Sequence, residues 1–567
     1  MSGQRPVEVR RQTSAAASGG LEGIDPVLAR LYALRGIKSK QELDYGLANL
    51  TPVSQLENVD AAVDLLLAKR NTRIIVVGDF DVDGATSTAL MLRCLRDFGF
   101  SDVEYLVPNR FEFGYGLSPE IVQIAAARKP GLLVTVDNGI SSVAGVAAAN
   151  EHGIPVLVTD HHLAGDELPA AAVIVNPNLP GSRFPSRNLA GVGVAFYVLA
   201  MLGKRLAAEG HEGAQRVAAK YLDLVALGTV ADVVPLDRNN RILVDQGLRR
   251  MRAGKCVPGI SALLEQAGRA PKRTVSSDLG FAVGPRLNAA GRLEDMSIGI
   301  ECLLTDDRAT AAAHAQTLDS INRERREIES QMREEAFAYV DKLQAKTLPA
   351  CVSVFDPGWH QGVVGLIASR VKERWHRPVI AFARESDGML KGSARSVHGV
   401  HARDLLEAVS SRKPGLIPKF GGHAMAAGLS IPEDRFEEFA ALAATTLTAL
   451  YPDADFSGAI VTDGPLPGDA LSLPFARVLR EAGPWGSGFP EPCWSGDFEV
   501  LEQRTVGETH LKLRVRSASG GAPIDAIAFN QAGDAIRGLV RLAYRLDVNE
   551  YRGVERAQLV VEQITAV

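Results

Sequence analysis

The chain has 567 residues, 46% of them hydrophobic and 23% charged, and a formal net charge of −5 at neutral pH. That length suggests three or four domains at about 150 residues each, and the composition excludes a disordered or fibrous protein. Five scattered cysteines (Cys94, Cys256, Cys302, Cys351 and Cys493) have no zinc-finger spacing and an odd count, so they read as reduced cytosolic thiols.

Residues 1–20 are polar and alanine-rich and lack the apolar segment of a signal peptide; they read as a disordered tail. No apolar stretch reaches about 18 residues, so no membrane helix is expected. Residues 21–70 look helical, with apolar spacing at Val27, Leu28 and Leu31 and again at Ala62, Val63, Leu65 and Leu66. From 73 to about 235 strand-like and helix-like segments alternate. That pattern predicts a doubly wound parallel sheet, and the α/β domain is placed at 71–300.

Three apolar runs in that domain, 73–78, 132–136 and 156–159, end on metal-binding side chains. They deliver Asp79, Asp81 and Asp83, then Asp137, then Asp160, His161 and His162. Runs of this kind read as buried parallel strands. The crevice of an open parallel sheet lies beyond the carboxyl ends of its strands, so these groups are expected to converge. Taken singly, the motifs have other readings. The aspartates before Gly84 could cap a helix N-terminus, and Asp137-Asn138-Gly139 could be a plain turn. Adjacent histidines after a buried strand are costly unless they coordinate or hydrogen-bond. Asp232 ends a further apolar segment and could close the site. Hard oxygen ligands select Mg²⁺ or Mn²⁺, and an imidazole tilts the choice toward Mn²⁺. Two divalent cations suit phosphodiester hydrolysis.

Residues 307–346 contain no Gly or Pro and read as one or two long helices with i,i+4 charge pairs. They form a connector, placed at 301–346, to a second, smaller α/β lobe at 347–450. Residues 455–567 change character. Leu511, Leu513 and Val515 alternate strictly with Lys512, Arg514 and Arg516, and more short strands follow. A small barrel of the oligonucleotide-binding class fits. Its basic outer stripe suits nucleic acid, or is an ordinary solvated strand face. The net charge counts against a nucleic-acid partner, although the carboxylates of a metal site mask arginines in the sum. The stretch 238–255 holds Arg238, Arg241, Arg249, Arg250, Arg252 and Lys255 against Asp245 alone; it could face phosphates or solvent.

The Asp160-His161-His162 tripeptide, taken with the aspartate turn and Asp137, resembles the DHH phosphoesterase superfamily. The likeness continues through Gly228-Thr229-Val230-Ala231-Asp232 and Gly284-Pro285-Arg286-Leu287-Asn288-Ala289-Ala290-Gly291-Arg292. In the second lobe it covers 359–365, Gly392-Ser393-Ala394-Arg395-Ser396 and Gly421-Gly422-His423. The aspartate turn alone also resembles haloacid dehalogenase-type phosphatases, which have no place for His161 and His162. Within the superfamily the chain is most similar to the bacterial single-strand-specific 5′-to-3′ exonucleases, over nearly everything beyond residue 20. One departure is Phe489, where Asn is expected.

The resemblance implies a two-cation site (Mn²⁺ or Mg²⁺) held by Asp79, Asp81, Asp83, Asp137, His161 and Asp232, with His162, Asp137 and Asp160 as the catalytic set. It implies that Ser393, Arg395 and His423, with Arg110 and Arg286, hold the 5′ end of single-stranded DNA. A helicase and a single-strand-binding protein are the implied partners, and repair or recombination in the cytoplasm the implied setting. Two other classes keep the same motifs: a phosphoesterase acting on oligoribonucleotides or cyclic dinucleotides, and a non-catalytic replication scaffold. The scaffold would have lost metal ligands, all of which are present here.

Overall fold

The computed structural model describes residues 8–11, 20–108, 116–344, 348–385, 388–454, 456, 458–533, 535–551 and 553–567. The first elements are β1 (Glu8–Arg11), α1 (Pro26–Leu34) and α2 (Val59–Ala68). β1 corrects part of the expected disordered tail: it pairs in parallel with Ala459–Thr462. Backbone pairing with a distant strand outweighs its polar setting. Residues 1–7 and 12–19 lie outside the described residues. α1 starts where its sequence says it should. Pro26 opens it, and the Asp25 carboxylate accepts from the Val27 and Leu28 N–H groups at 2.9 and 3.3 Å.

The first lobe contains β2 (Ile74–Val77), α3 (Val82–Asp97), β3 (Val103–Leu106), α4 (Pro119–Ala126), β4 (Leu132–Val136), α5 (Val143–Glu151), β5 (Val156–Thr159) and β6 (Val173–Val175). Its sheet runs in the order β3-β2-β4-β5-β6, all parallel. The winding direction reverses between β2 and β4. Such a switch point leaves a crevice at the carboxyl edge, and β2 and β4 are the strands that precede Asp79 and Asp137.

Helices complete this lobe: α6 (Gly191–Ala208), α7 (Leu222–Ala231), α8 (Arg238–Arg252), α9 (Pro258–Gln266), α10 (Ser276–Asp278) with a π turn over Leu279–Val283, α11 (Gly284–Leu293) and α12 (Ser297–Leu304). α6 qualifies the expectation that no stretch is apolar enough to span a membrane. It has 18 residues and a mean hydropathy of 1.4, but 72% of it is buried in this lobe. Three cations of α8 are engaged within the protein. Arg241 is buried against the Leu236 carbonyl, Arg249 pairs with Asp245 at 2.7 Å, and Arg252 donates to the Thr274 carbonyl.

The Gly- and Pro-free run forms a single helix of 37 residues, α13 (Arg308–Gln344), started by Asp307 accepting from the Thr310 N–H at 2.7 Å. The second lobe follows with β7 (Val352–Phe355), α14 (Val364–Trp375), β8 (Val379–Arg384), β9 (Met389–Arg395), α15 (Ala402–Arg412), β10 (Lys419–Gly422), β11 (Ala426–Pro432) and α16 (Phe436–Leu450). Its mixed sheet has the order β10-β11-β9-β8-β7.

β12 (Ala459–Thr462), the partner of β1, and α17 (Leu473–Glu481) lead into a closed barrel of β13 (Trp494–Val506), β14 (His510–Ser517), β15 (Ile524–Ala528), β16 (Gly538–Tyr551) and β17 (Val554–Ala566). As the alternation predicts, Leu511, Leu513 and Val515 are buried. The outer stripe is partly neutralised: Lys512 pairs with Asp525 at 3.1 Å and Arg516 with Glu499 at 3.5 Å.

The cores divide unevenly. One apolar cluster runs from the first lobe into the barrel, a second packs α4 and α5 on that lobe's sheet, and two others belong to the second lobe and the end of α13. Phe489 lies where first lobe and barrel meet. It is 1% exposed, stacks on Trp485 at 5.1 Å and lies under the Arg241 guanidinium at 4.5 Å. The Phe therefore fills the shared core and supplies a π face to a buried cation.

Candidate metal centre

Each acidic side chain at the switch point is placed by backbone. Gly84 presses so closely on Asp79 that a Cβ there would meet its atoms at 2.6 Å. Asp81 caps α3, its Oδ1 accepting from the Gly84 N–H at 2.9 Å. Capping and metal binding are thus not alternatives, because a carboxylate has two oxygens. Asp83 is 1% exposed, and its oxygens accept from the Gly191 and Val192 N–H groups at 2.6 and 2.9 Å. Asp137 sits at φ +62°, a left-handed position that Asp tolerates better than most residues. The neighbouring Asn138 amide sews the strand ends together, donating to the Val77 and Val136 carbonyls.

His161 reaches into this group from the end of β5. Its Nε2 lies 3.2 Å from Asp137 Oδ1, 3.5 Å from Asp232 Oδ2 and 4.0 Å from Asp83 Oδ2. Three overlapping sets of donor atoms result, each within 4.8 Å: Asp83, His161 and Asp232; Asp79, Asp81 and Asp137; and Asp137, His161 and His162. Asp137 therefore belongs both to the all-carboxylate set and to a set containing His161.

The electrostatics mark the cluster as a cation site. Burial, reinforced by the charge of Asp81, pushes Asp83 up to about 7. Burial and the Asp83 charge drive Asp137 and Asp232 well above the ordinary carboxylate range. Burial and the neighbouring His162 push His161 down to about 4, so its imidazole is neutral at pH 7. Its Nε2 is buried without a hydrogen-bond donor among these oxygens. A neutral imidazole lone pair among crowded carboxylates is a donor set for divalent cations.

Asp160 plays another part. Its Oδ1 accepts from the His161 and His162 N–H groups at 2.7 and 3.1 Å and from His162 Nδ1 at 2.7 Å; its Oδ2 accepts from the Ile140 N–H at 2.9 Å. With its oxygens so occupied, Asp160 holds the His162 ring in place. Burial works against a charge on His162, but the hydrogen bond and charge of Asp160 outweigh it and raise the imidazole above its ordinary range.

The second lobe brings His423 to this edge, its ring stacked 6.4 Å from that of His162. Ser393 and Arg395 lie on β9, which pairs with β11 just beyond His423. Arg395 donates to Ser393 Oγ at 3.0 Å and to the Ala394 carbonyl at 2.8 Å. No carboxylate pairs with it among the described residues, and burial lowers its pKa. Both side chains lie against the first turn of α14, where a Cβ on Gly365 would stand 2.9 Å from Arg395 and 3.1 Å from Ser393. Arg286 does not join the site as expected. Its guanidinium is 2.8 Å from Asp319 on α13, and both residues are buried. Arg110 lies outside the described residues. The sequence reading missed the Gly191 and Val192 N–H groups and Asn288, whose Oδ1 accepts from the Val82 N–H at 3.1 Å. Asn288 stood inside a quoted motif, but only packing shows which loop it holds.

Comparison with known proteins gives the same picture. Residues 73–229 match the DHH family, N-terminal domain; 347–449 match the DHHA1 domain and 462–563 the RecJ OB domain. The chain is 52% identical to the single-stranded-DNA-specific exonuclease RecJ of Escherichia coli (strain K12), over 99% of both chains. It belongs to the RecJ family. Two solved structures of RecJ from Thermus thermophilus share 30% identity with it. The complex with Mn²⁺ has a TM-score of 0.81, covering 100% of this chain and 80% of that one. For the complex with Mg²⁺ the TM-score is 0.74, with 96% and 75% covered. Membership adds the barrel's family, which alternation alone left open.

Proposed function

We propose that this chain is a metal-dependent exonuclease that digests single-stranded DNA from its 5′ end and releases 5′-mononucleotides. The observation that carries this reading is the overlap of two donor sets at Asp137, next to His162, at the topological switch point. Asp79, Asp81, Asp83, Asp137, His161 and Asp232 would hold two divalent cations, Mn²⁺ or Mg²⁺ as in the Thermus relatives. Bound there, such ions generate a nucleophile from water at neutral pH and polarise phosphoryl oxygens.

The remaining steps belong to the protein. His162, fixed by Asp160 through Nδ1, would when charged donate from Nε2 to a phosphoryl oxygen or to the leaving group. Ser393, Arg395 and the free N–H groups at the start of α14 form a cradle for a terminal phosphate, and His423 stands between cradle and metal centre. An anchored 5′ phosphate next to the cleavage site sets polarity. The stacking and charge of a barrel suit a strand read without base specificity. A helicase supplying unwound strand, a single-strand-binding protein coating it, and DNA repair or recombination in the cytoplasm are the setting such an activity calls for. All five cysteines are free thiols, as a reducing compartment requires.

The test is digestion of end-labelled single- and double-stranded DNA with Mn²⁺, Mg²⁺ or chelator. Mononucleotides released from single strands only, from the 5′ end only, and none with chelator, are expected. Preference for dinucleotides over long strands would instead make the chain a small-substrate phosphoesterase. Strand binding without cleavage in either metal would leave a scaffold.

A further inference from the structure

The aspartate turn and the Ser393–Arg395 cradle belong to different lobes, yet one short helix touches the supports of both. On its first-lobe side, α11 holds the aspartate turn. Asn288 accepts from the Val82 N–H, and Gly291 lies so close to Phe80 that a Cβ would stand 1.8 Å from the Phe80 carbonyl oxygen. On its other side, Arg292 donates to the Gly362 carbonyl at 2.9 Å, and a Cβ on Gly362 would stand 2.2 Å from the Arg292 carbonyl oxygen. Gly362 is two residues before α14, whose first turn lies against Ser393 and Arg395.

The connector closes a triangle. At Asp319, α13 grips Arg286 of α11 at 2.8 Å; at Glu329 it grips Arg370 of α14 at 2.9 Å. Ten helical residues separate the two grips, about 15 Å of rise. Asp319 and Glu329 are both buried, and each holds a second arginine, Arg323 at 2.7 Å and Arg325 at 2.5 Å. Buried charges in such geometry resist sliding, because losing a partner leaves an uncompensated ion. Three helices joined at three corners form a frame that rotation of one lobe would strain.

We propose that α11, α13 and α14 act as a spacer that fixes the distance between the carboxylate cluster and the Ser393–Arg395 cradle, and so limits the released fragment to one nucleotide. Arg292, Gly362 and Arg370 are positioning residues in this frame. The inference rests on the exonuclease reading above and adds what determines product length.

The experiment measures product length and the preference for 5′-phosphorylated over 5′-hydroxyl ends, with Mn²⁺, for the full-length chain and the variants R292A, R292K, G362A and R370Q. In the unaltered chain mononucleotides alone are expected, with a marked 5′-phosphate preference. R292A and G362A open the joint; dinucleotides then appear and the phosphate preference falls about tenfold or more, since a displacement of about 1 Å costs on the order of 10²-fold in a positioned reaction. kcat drops while Mn²⁺ affinity by calorimetry stays unchanged. R292K, which keeps a donor, restores most of the mononucleotide pattern, and R370Q loosens the far corner without touching the joint. A purely structural role would lower the active fraction and leave product length and end preference as they were. If R292A, G362A and R370Q all release mononucleotides only, with full phosphate preference, the spacer is refuted. If the unaltered chain itself fails to cut single strands, it is the exonuclease reading that falls.

Discussion

Asp137 shows how a functional residue stands against stability. It is 2% exposed, in a left-handed backbone position, with Asp83, Asp81 and Asp232 repelling its charge. D137N keeps the shape and the backbone tolerance but removes one anion. Its rate of strand cleavage should fall by about 10²–10³-fold or more, with strand affinity in a gel-shift assay within about twofold of the parent. Its thermal midpoint in chelator at pH 8 should rise, because one repulsive buried charge is gone. Lower metal-free stability in D137N would show that the carboxylates are not in conflict.

The same residues set the pH dependence. Asp83, raised to about 7, and Asp137 and Asp232, raised well above the ordinary carboxylate range, bind protons in the folded metal-free chain that the unfolded chain releases near pH 4. Stability therefore falls as pH rises from about 4 through 7. His161, lowered to about 4, acts oppositely below pH 6.5, one group against three. Cations replace those protons, so the Mn²⁺-induced rise in melting temperature should be larger at pH 8 than at pH 5.5. Equal shifts at both values would contradict the protonation picture. At this scale the residue types of the candidate donor sets were legible in the sequence because apolar runs ended on them. The four hydrogen bonds of Asp160 were not legible, because nothing in its spacing reveals them. Nor was the pairing of Arg286, because Asp319 lies 33 residues away on another helix.

Among the elements, what local sequence dictates was readable. The period-2 pattern of β14 and the Gly- and Pro-free run of α13 each need only neighbouring residues to specify them. β1 was not readable, because its pairing partner is some 450 residues away and its composition is polar. α6 was passed over because its few charged residues interrupt the apolar run, although the helix is mostly core. Phe489 tests how an element junction is held. F489N would remove a buried ring, strip Trp485 of its stacking partner and leave Arg241 over an amide. A loss of about 3–5 kcal/mol is expected, read as a lower denaturant midpoint of the transition reported by tryptophan fluorescence. Cleavage per folded molecule should be unchanged, since the ring belongs to none of the donor sets. An unaltered midpoint would mean the stack contributes nothing.

At the level of the whole molecule the net charge of −5 poses the question of how an acidic protein holds a polyanion. Part of its positive charge is already committed: Arg286, Arg325 and Arg370 to the α13 carboxylates, and Lys512 and Arg516 to Asp525 and Glu499 on the barrel. The cations left without a carboxylate partner are the ones available to phosphates. Arg514 is one. It lies in the exposed stripe of β14 between two neutralised neighbours, with no carboxylate in ion-pair reach among the described residues. If the stripe tracks the strand, log affinity for a long oligonucleotide should fall linearly with log salt, and R514A should reduce the slope by about 0.7, the contribution of one phosphate on a single strand. K512A should change the slope less, because Lys512 is already neutralised by Asp525; its loss frees that carboxylate to repel the strand, which lowers affinity chiefly at low salt. The order of these two effects separates the readings of the barrel's outer face. A strand-bearing stripe loses slope at Arg514 first, whereas a merely solvated face shows parallel salt lines for both variants and the parent.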